Sequence, residues 1–148
     1  MERSGEDLRR AMQKFVVASV AEIPPGTHKV FMVGGRPIGI FNLSGEFYGL
    51  LNRCPHQGGR LCDGLITGLA VGDRPGDFRM IRRGEMVRCP WHGWEFDIKT
   101  GQSWCEPAKV RARAYPTEIA DGAEVVKGPY VAETVPITVE EQYVVVEF

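Results

Sequence analysis

Two short runs constrain this chain more than anything else in it: Cys54-Pro55-His56 and Cys89-Pro90-Trp91-His92. Each puts a thiol and an imidazole on one tight loop. Each is followed by glycine, Gly58-Gly59 in the first and Gly93 in the second. Proline after each cysteine fixes the backbone and removes one N–H donor. Glycine after each histidine permits positive φ and a close approach of backbone N–H groups to sulfur. Two such loops can clamp a metal centre from opposite sides with two thiolates and two neutral imidazoles. A structural zinc ion binds the same four side chains, but its usual spacing pairs cysteine with cysteine and histidine with histidine. Cys-Pro-His also leaves a single residue between two ligands, which is tight for one tetrahedral ion. Unligated core residues would not need proline and glycine in matching slots of two separate loops.

The longer strings Cys54-Pro-His-Gln-Gly-Gly-Arg-Leu61 and Cys89-Pro-Trp-His-Gly-Trp-Glu-Phe96 resemble the ferredoxin-type Rieske family. That family includes small electron carriers and the cluster domains of ring-hydroxylating oxygenases. The resemblance implies a [2Fe–2S] cluster with Cys54 and Cys89 on one iron and His56 and His92 on the other. It implies an all-β fold, an antiparallel sandwich with a cluster-binding subdomain (about residues 50–106) inserted as a lobe in a single domain, 1–148. It runs from about residue 15 to 148 with gaps, and Pro107 stands where the family has a proline loop over the cluster. Thirty-two residues lie between His56 and Cys89, more than the family usually has. The excess falls in residues 64–83, which hold Gly64, Gly68, Gly72, Gly76 and Pro75 and read as an extended hairpin or loop. Arg74, Arg79, Arg82 and Arg83 on it suit either a docking surface for an acidic partner or a solvated, tolerated insertion. The second is favoured, because loops accept length cheaply. A further insertion is expected at residues 120–138.

Strand-like runs at 14–20, 27–33, 36–42 and 46–52 are separated by Pro24-Pro25-Gly26, Gly34-Gly35 and Ser44-Gly45. Further strands are expected at 80–88, 94–98, 111–119, 124–126 and 143–148. This closely spaced hairpin pattern is that of an all-β chain. Residues 4–13 have helical spacing, with Leu8, Ala11, Met12 and Phe15 on one side, and read as a short N-terminal helix or a frayed arm.

At 148 residues and a net charge of −1, nothing in the composition points to nucleic acid or to an anionic membrane surface. No apolar run approaches the length of a membrane span. The apolar residues 15–21 are followed at once by Glu22-Ile23-Pro24-Pro25-Gly26, which fits an internal strand and turn better than a signal peptide. A cytoplasmic location is expected. The quinol-oxidising branch of the family staples its two cluster loops with an extra disulfide. The corresponding slots here are Gly59 and Trp91, so that bond cannot form. Of the remaining cysteines, Cys62 and Cys105, reduced thiols are expected, with a mutual disulfide as the alternative.

The chain has three histidines, so only His28 remains once a cluster is ligated, and it is expected to be an ordinary strand residue. A mononuclear iron oxygenase site needs two histidines and a carboxylate. No G-x-G-x-x-G fingerprint for a dinucleotide is present. The expected role is therefore an electron-transfer component, not a complete enzyme: a soluble one-electron carrier between a reductase and a terminal oxygenase. The alternatives are a small [2Fe–2S] subunit of a larger oxidoreductase such as nitrite reductase, and a zinc-stabilised binding module. Trp94 and Phe96 occupy slots where high-potential relatives have serine and tyrosine hydroxyls bonded to sulfur. Their absence predicts a potential toward the low end of the Rieske range, about −150 mV. Trp91, Trp94 and Trp104 are expected to shield the cluster.

Overall fold

The computed structural model describes residues 13–55, 59–90, 93–103, 110–132 and 135–148. Three antiparallel sheets account for the strands among them. The first has the order β1-β10-β9, formed by Lys14–Ser19, Gln142–Glu147 and Thr117–Asp121. The second has the order β2-β3-β4-β8, formed by His28–Val33, Arg36–Leu43, Glu46–Leu51 and Ala114–Tyr115. The third, β5-β6-β7, is formed by Leu65–Arg74, Asp77–Arg88 and Glu95–Asp97. The four hairpin-like runs of the first third of the chain thus form β1 to β4. The expected all-β architecture is present.

Burial alternates along the strands in a way that joins the three layers. On β10, Val144 and Val146 enter the core between the first two sheets, while Tyr143 and Val145 enter a second cluster on the outer face. A strand apolar at every position belongs in mid-sheet with both faces covered, and β10 lies between β1 and β9. Strand β3 has the same role in the next layer. Ile38 and Ile40 face the core shared with β1 and β10, and Phe41 faces the opposite way, toward the third sheet. The period-2 geometry of a strand thus makes β3 the wall between body and lobe.

Two readings of the sequence meet a different outcome, and a third is not reached by the described residues. Residues 124–126 lie in a helix, α1 (Gly122–Lys127), not a strand. Val125 is buried against Tyr143 and Val145 of β10, and Val126 is exposed. Packing on one side of a six-residue element outweighs the β preference of valine, and Ala123, Glu124 and Lys127 are good helix formers. The strand expected over 111–119 is divided into β8 and β9, because Pro116 has no N–H to donate to a ladder. The expected helix at 4–13 lies outside the described residues except for Gln13, whose N–H and carbonyl pair with Phe148.

The insertion at 64–83 is a hairpin, as expected, made of β5 and most of β6 with its turn at Pro75-Gly76. Between the pairs Thr67↔Met86 and Leu69↔Ile81, β6 advances five residues while β5 advances two. The surplus bulges out at 82–85. Arg82 adopts a left-handed backbone there, with φ of 50°. Its Nη2 donates to Asp97 Oδ2 at 2.8 Å and its Nε to Glu85 Oε1 at 2.9 Å. Asp97 is buried, so removing its cation leaves a charge poorly solvated. Arg82→Ala is expected to cost about 1–3 kcal/mol, between the values for exposed and fully buried pairs, measurable by urea unfolding. The Arg82 hydrogen bond, opposed by burial and aided by Lys99, holds Glu85 below the ordinary carboxylate range. Its folded pKa lies under its unfolded one, so its contribution is complete above the unfolded value and is lost as pH falls through the folded one. Arg82→Ala should flatten that region of the acid stability profile.

Candidate metal centre

The chain leaves β4 at Leu51 and reaches Cys54 three residues later. Asn52 N–H bonds the Pro37 carbonyl at 2.8 Å, anchoring the exit of the strand to β3. Cys54 N–H then donates to the Gly59 carbonyl at 2.7 Å, which closes the first loop on itself. A single 3-10 turn, Leu61–Asp63, follows. The second loop begins where β6 ends: Cys89 N–H donates to the Trp94 carbonyl at 2.8 Å, and Gly93 N–H returns to the Cys89 carbonyl at 3.0 Å. Gly93 has φ of 71°, the left-handed backbone anticipated after the second histidine.

The two loops meet. Cys54 and Cys89 are 1% and 2% exposed and share one apolar cluster with Phe41, Leu50, Leu61, Val87 and Phe96. Gly64 brings them together, because its Cα lies directly over the carbonyl of Arg88, the residue before Cys89, where any Cβ would overlap that oxygen. The end of the first loop is thereby pressed onto the start of the second. Pro55 and Pro90, next to the two cysteines, are both exposed. The two cysteines are thus backed by apolar packing while the prolines that follow them face solvent. Trp94 packs against the same cluster, and Phe96 is fully buried within it, paired with Val87 across the sheet.

Cys62 also belongs to this cluster and carries a free thiol. Burial, reinforced by the negative charge of Asp63 and opposed by a hydrogen bond from Gly39, pushes it up to about 12. Its sulfur packs directly on Gly39 of β3, and it stands outside the two Cys-Pro loops. His28, read from sequence as an ordinary strand residue, opens β2 and stacks on Phe41 with ring centroids 4.8 Å apart. Its Nε2 lies 2.8 Å from the Cys62 carbonyl oxygen.

His56 and His92 lie outside the described residues, as do Trp91, Trp104, Cys105 and Pro107. Among the described residues, the two cysteines of the expected ligand set converge. The sequence pattern missed the groups that hold the loops: Asn52, Gly64 and His28. Their partners lie 10 or more residues away, and no local pattern marks them.

An all-β sandwich with an inserted three-stranded lobe, whose two Cys-Pro loops converge on an apolar base, defines a class of iron–sulfur domain. The model of the Rieske [2Fe-2S] domain matches residues 13–116, and the chain belongs to that family. The cofactor of the family is a Rieske-type [2Fe–2S] cluster, and two buried thiols of separate loops with a shared apolar backing fit one side of it. The 3-phenylpropionate/cinnamic acid dioxygenase ferredoxin subunit of Escherichia coli strain K12 is 29% identical over 112 residues, 75% of this chain and 90% of that protein. A ferredoxin of Sphingomonas yanoikuyae B1 superposes with a TM-score of 0.55 at 25% identity, over 74% of this chain and 92% of its own. A Mycobacterium tuberculosis protein described as an NADH-dependent nitrite reductase small subunit gives 0.58 at 19% identity, over 93% and 96%. At that identity the last match speaks for the fold alone. No helix among the described residues is long and apolar enough to cross a membrane.

Proposed function

We propose that this protein is a one-electron carrier whose cluster is held by Cys54, His56, Cys89 and His92 and which passes electrons from a reductase to a terminal oxygenase. The observation that carries the reading is the convergence of Cys54 and Cys89 at the ends of two clasped loops. The names of the similar ferredoxin components support the carrier role. A [2Fe–2S] cluster takes up and returns a single electron. The chain's own contribution is to supply two thiolates from the buried side, two imidazoles from the same loops, and a backing of Leu61, Val87 and Phe96 that keeps water from the sulfurs. The histidine count supports a carrier that is not itself a complete enzyme, since a second iron site needs two imidazoles and His28 alone remains. The whole chain is read as one domain, with residues 50–106 as its cluster-binding subdomain. A cytoplasmic placement belongs to the same reading.

Protein made under iron- and sulfide-replete anaerobic conditions should be red-brown, contain iron and acid-labile sulfide in equal amounts, and give an EPR signal only after reduction. Stoichiometric zinc in its place would overturn the reading. Isolation from the source cell separates a mobile carrier from a fixed subunit of a larger oxidoreductase, which would co-purify with its partner.

Phe96→Tyr places a hydroxyl in the same apolar cluster as the two cysteines. A hydroxyl bonded to sulfur favours the reduced form, which carries the extra negative charge. The expected result is a rise of tens of millivolts, roughly half to one tenfold step at ~59 mV per step for one electron. Film voltammetry of cluster-replete protein would show it. An unchanged or lower value with the hydroxyl on sulfur would refute the account of the tuning.

A further inference from the structure

The peptide around Cys62 is gripped from both sides by side chains of the body. On one side Asn52 Oδ1 accepts the Cys62 N–H at 2.8 Å. On the other, His28 Nε2 lies 2.8 Å from the Cys62 carbonyl oxygen. A carbonyl only accepts, so the ring must carry its proton on Nε2. The Cys62 sulfur lies directly on Gly39 of β3, where a Cβ would overlap it. Three neighbouring strands of the second sheet therefore converge on one residue: β2 through His28, β3 through Gly39 and Phe41, and the end of β4 through Asn52.

The place of these bonds in the chain gives them a purpose. Asn52 lies two residues before Cys54, and Cys62 lies just beyond Gly59, to which Cys54 is bonded. The Asn52–Cys62 bond thus ties the two feet of the first loop together. The His28–Cys62 bond then fastens that tied loop to the edge strand of the body. His28 is held in turn by its stack on Phe41. A structural role in the body alone would not require both bonds to end on the same residue of the loop.

We propose that His28 and Asn52 are positioning residues for the first ligand loop, fixing where Cys54 stands relative to the second loop. The proposal rests on the reading of Cys54 as a cluster ligand. Neither residue belongs to the ligand set, so neither replacement removes a ligand.

The experiment follows cluster release from the holoprotein to an iron chelator, at a temperature where circular dichroism shows the fold intact, together with the reduction potential. His28→Phe keeps the stack on Phe41 and loses the donor. Asn52→Ala loses the acceptor. Each should retain the visible and EPR spectrum of a two-cysteine, two-histidine cluster, release it several-fold to about tenfold faster, as the loss of one hydrogen bond implies, and shift the potential. His28→Gln, whose amide reaches a similar position with a donor, should restore the wild-type rate and potential. Wild-type release and potential in both His28→Phe and Asn52→Ala would overturn the proposal. If those two do not fold, His28→Gln against His28→Asn decides it: the shorter amide should release the cluster faster, and equal rates would overturn the proposal. A colourless wild-type protein without iron would instead refute the cluster reading on which it rests.

Discussion

Gly64→Ala should be the most damaging single methyl group that can be added near the site. The new Cβ has no room, because the Arg88 carbonyl already occupies its position and is fixed by the β5–β6 ladder, which pairs Leu65 with Arg88. The backbone torsions of Gly64 are ordinary, with φ of −76°, so the penalty is steric and not conformational. Relief requires the two ligand loops to move apart. Overpacking of this kind costs about 3 kcal/mol, and in a chain of this size each kcal/mol is worth roughly 2–4 °C in Tm. Cluster content should fall with stability, because the displaced segment leads directly into Cys89. Gly76→Ala is the comparison. Its Cβ would enter open space at a left-handed φ of 81°, so it should cost only about 1–2 kcal/mol and leave cluster content unchanged. Thermal melts and iron content measured on both variants test the pair. Equal effects would remove the clasp from the account.

The second large effect separates three buried cysteines that share one apolar cluster. Cys54→Ala and Cys89→Ala should each abolish the visible chromophore, because an iron left with one thiolate does not retain the cluster. Cys62→Ala should keep both colour and EPR signal. Its sulfur lies on Gly39 of β3, outside both Cys-Pro loops. Loss of the Cys62 sulfur leaves a small cavity over Gly39, with a stability cost of about 1 kcal/mol. Loss of colour in Cys62→Ala, or its retention in either of the others, would show that the ligand assignment is wrong.

The remaining groups around the site act through geometry. Arg82, Asp97 and Glu85 fix the bulge from which the long hairpin departs, and Asp97 belongs to β7, the strand that follows the second loop. The insertion is therefore attached to the lobe by a charged clasp at its base. That is how a long surface hairpin can be accommodated without disturbing the pairing of Met86–Arg88 with β7.

The family and its cofactor were legible in the sequence because the pattern that marks them is local. A cysteine, a proline, a histidine and a glycine within a few residues mark such a loop wherever it falls, and two such loops mark a pair. The hairpin character of the first four strands was legible for the same reason, since Gly34-Gly35 and Ser44-Gly45 are turn residues between short apolar runs. Even the surplus length before Cys89 could be read as a hairpin from its glycines. What the sequence did not contain was the assignment of faces. Tyr143-Val144-Val145-Val146 and Ile38-Gly39-Ile40-Phe41 are apolar on both sides, and only the stacking of three layers decides which side chain meets which neighbour. The helix at Gly122–Lys127 depends on that stacking too, since Val125 gains its burial from β10. Gly64 against Arg88, Asn52 and His28 against Cys62, and Arg82 against Asp97 were settled in the same way. Each joins residues far apart in the chain through a single bond or a single close approach. Such a contact leaves no periodicity in either segment, so only the tertiary structure could determine it.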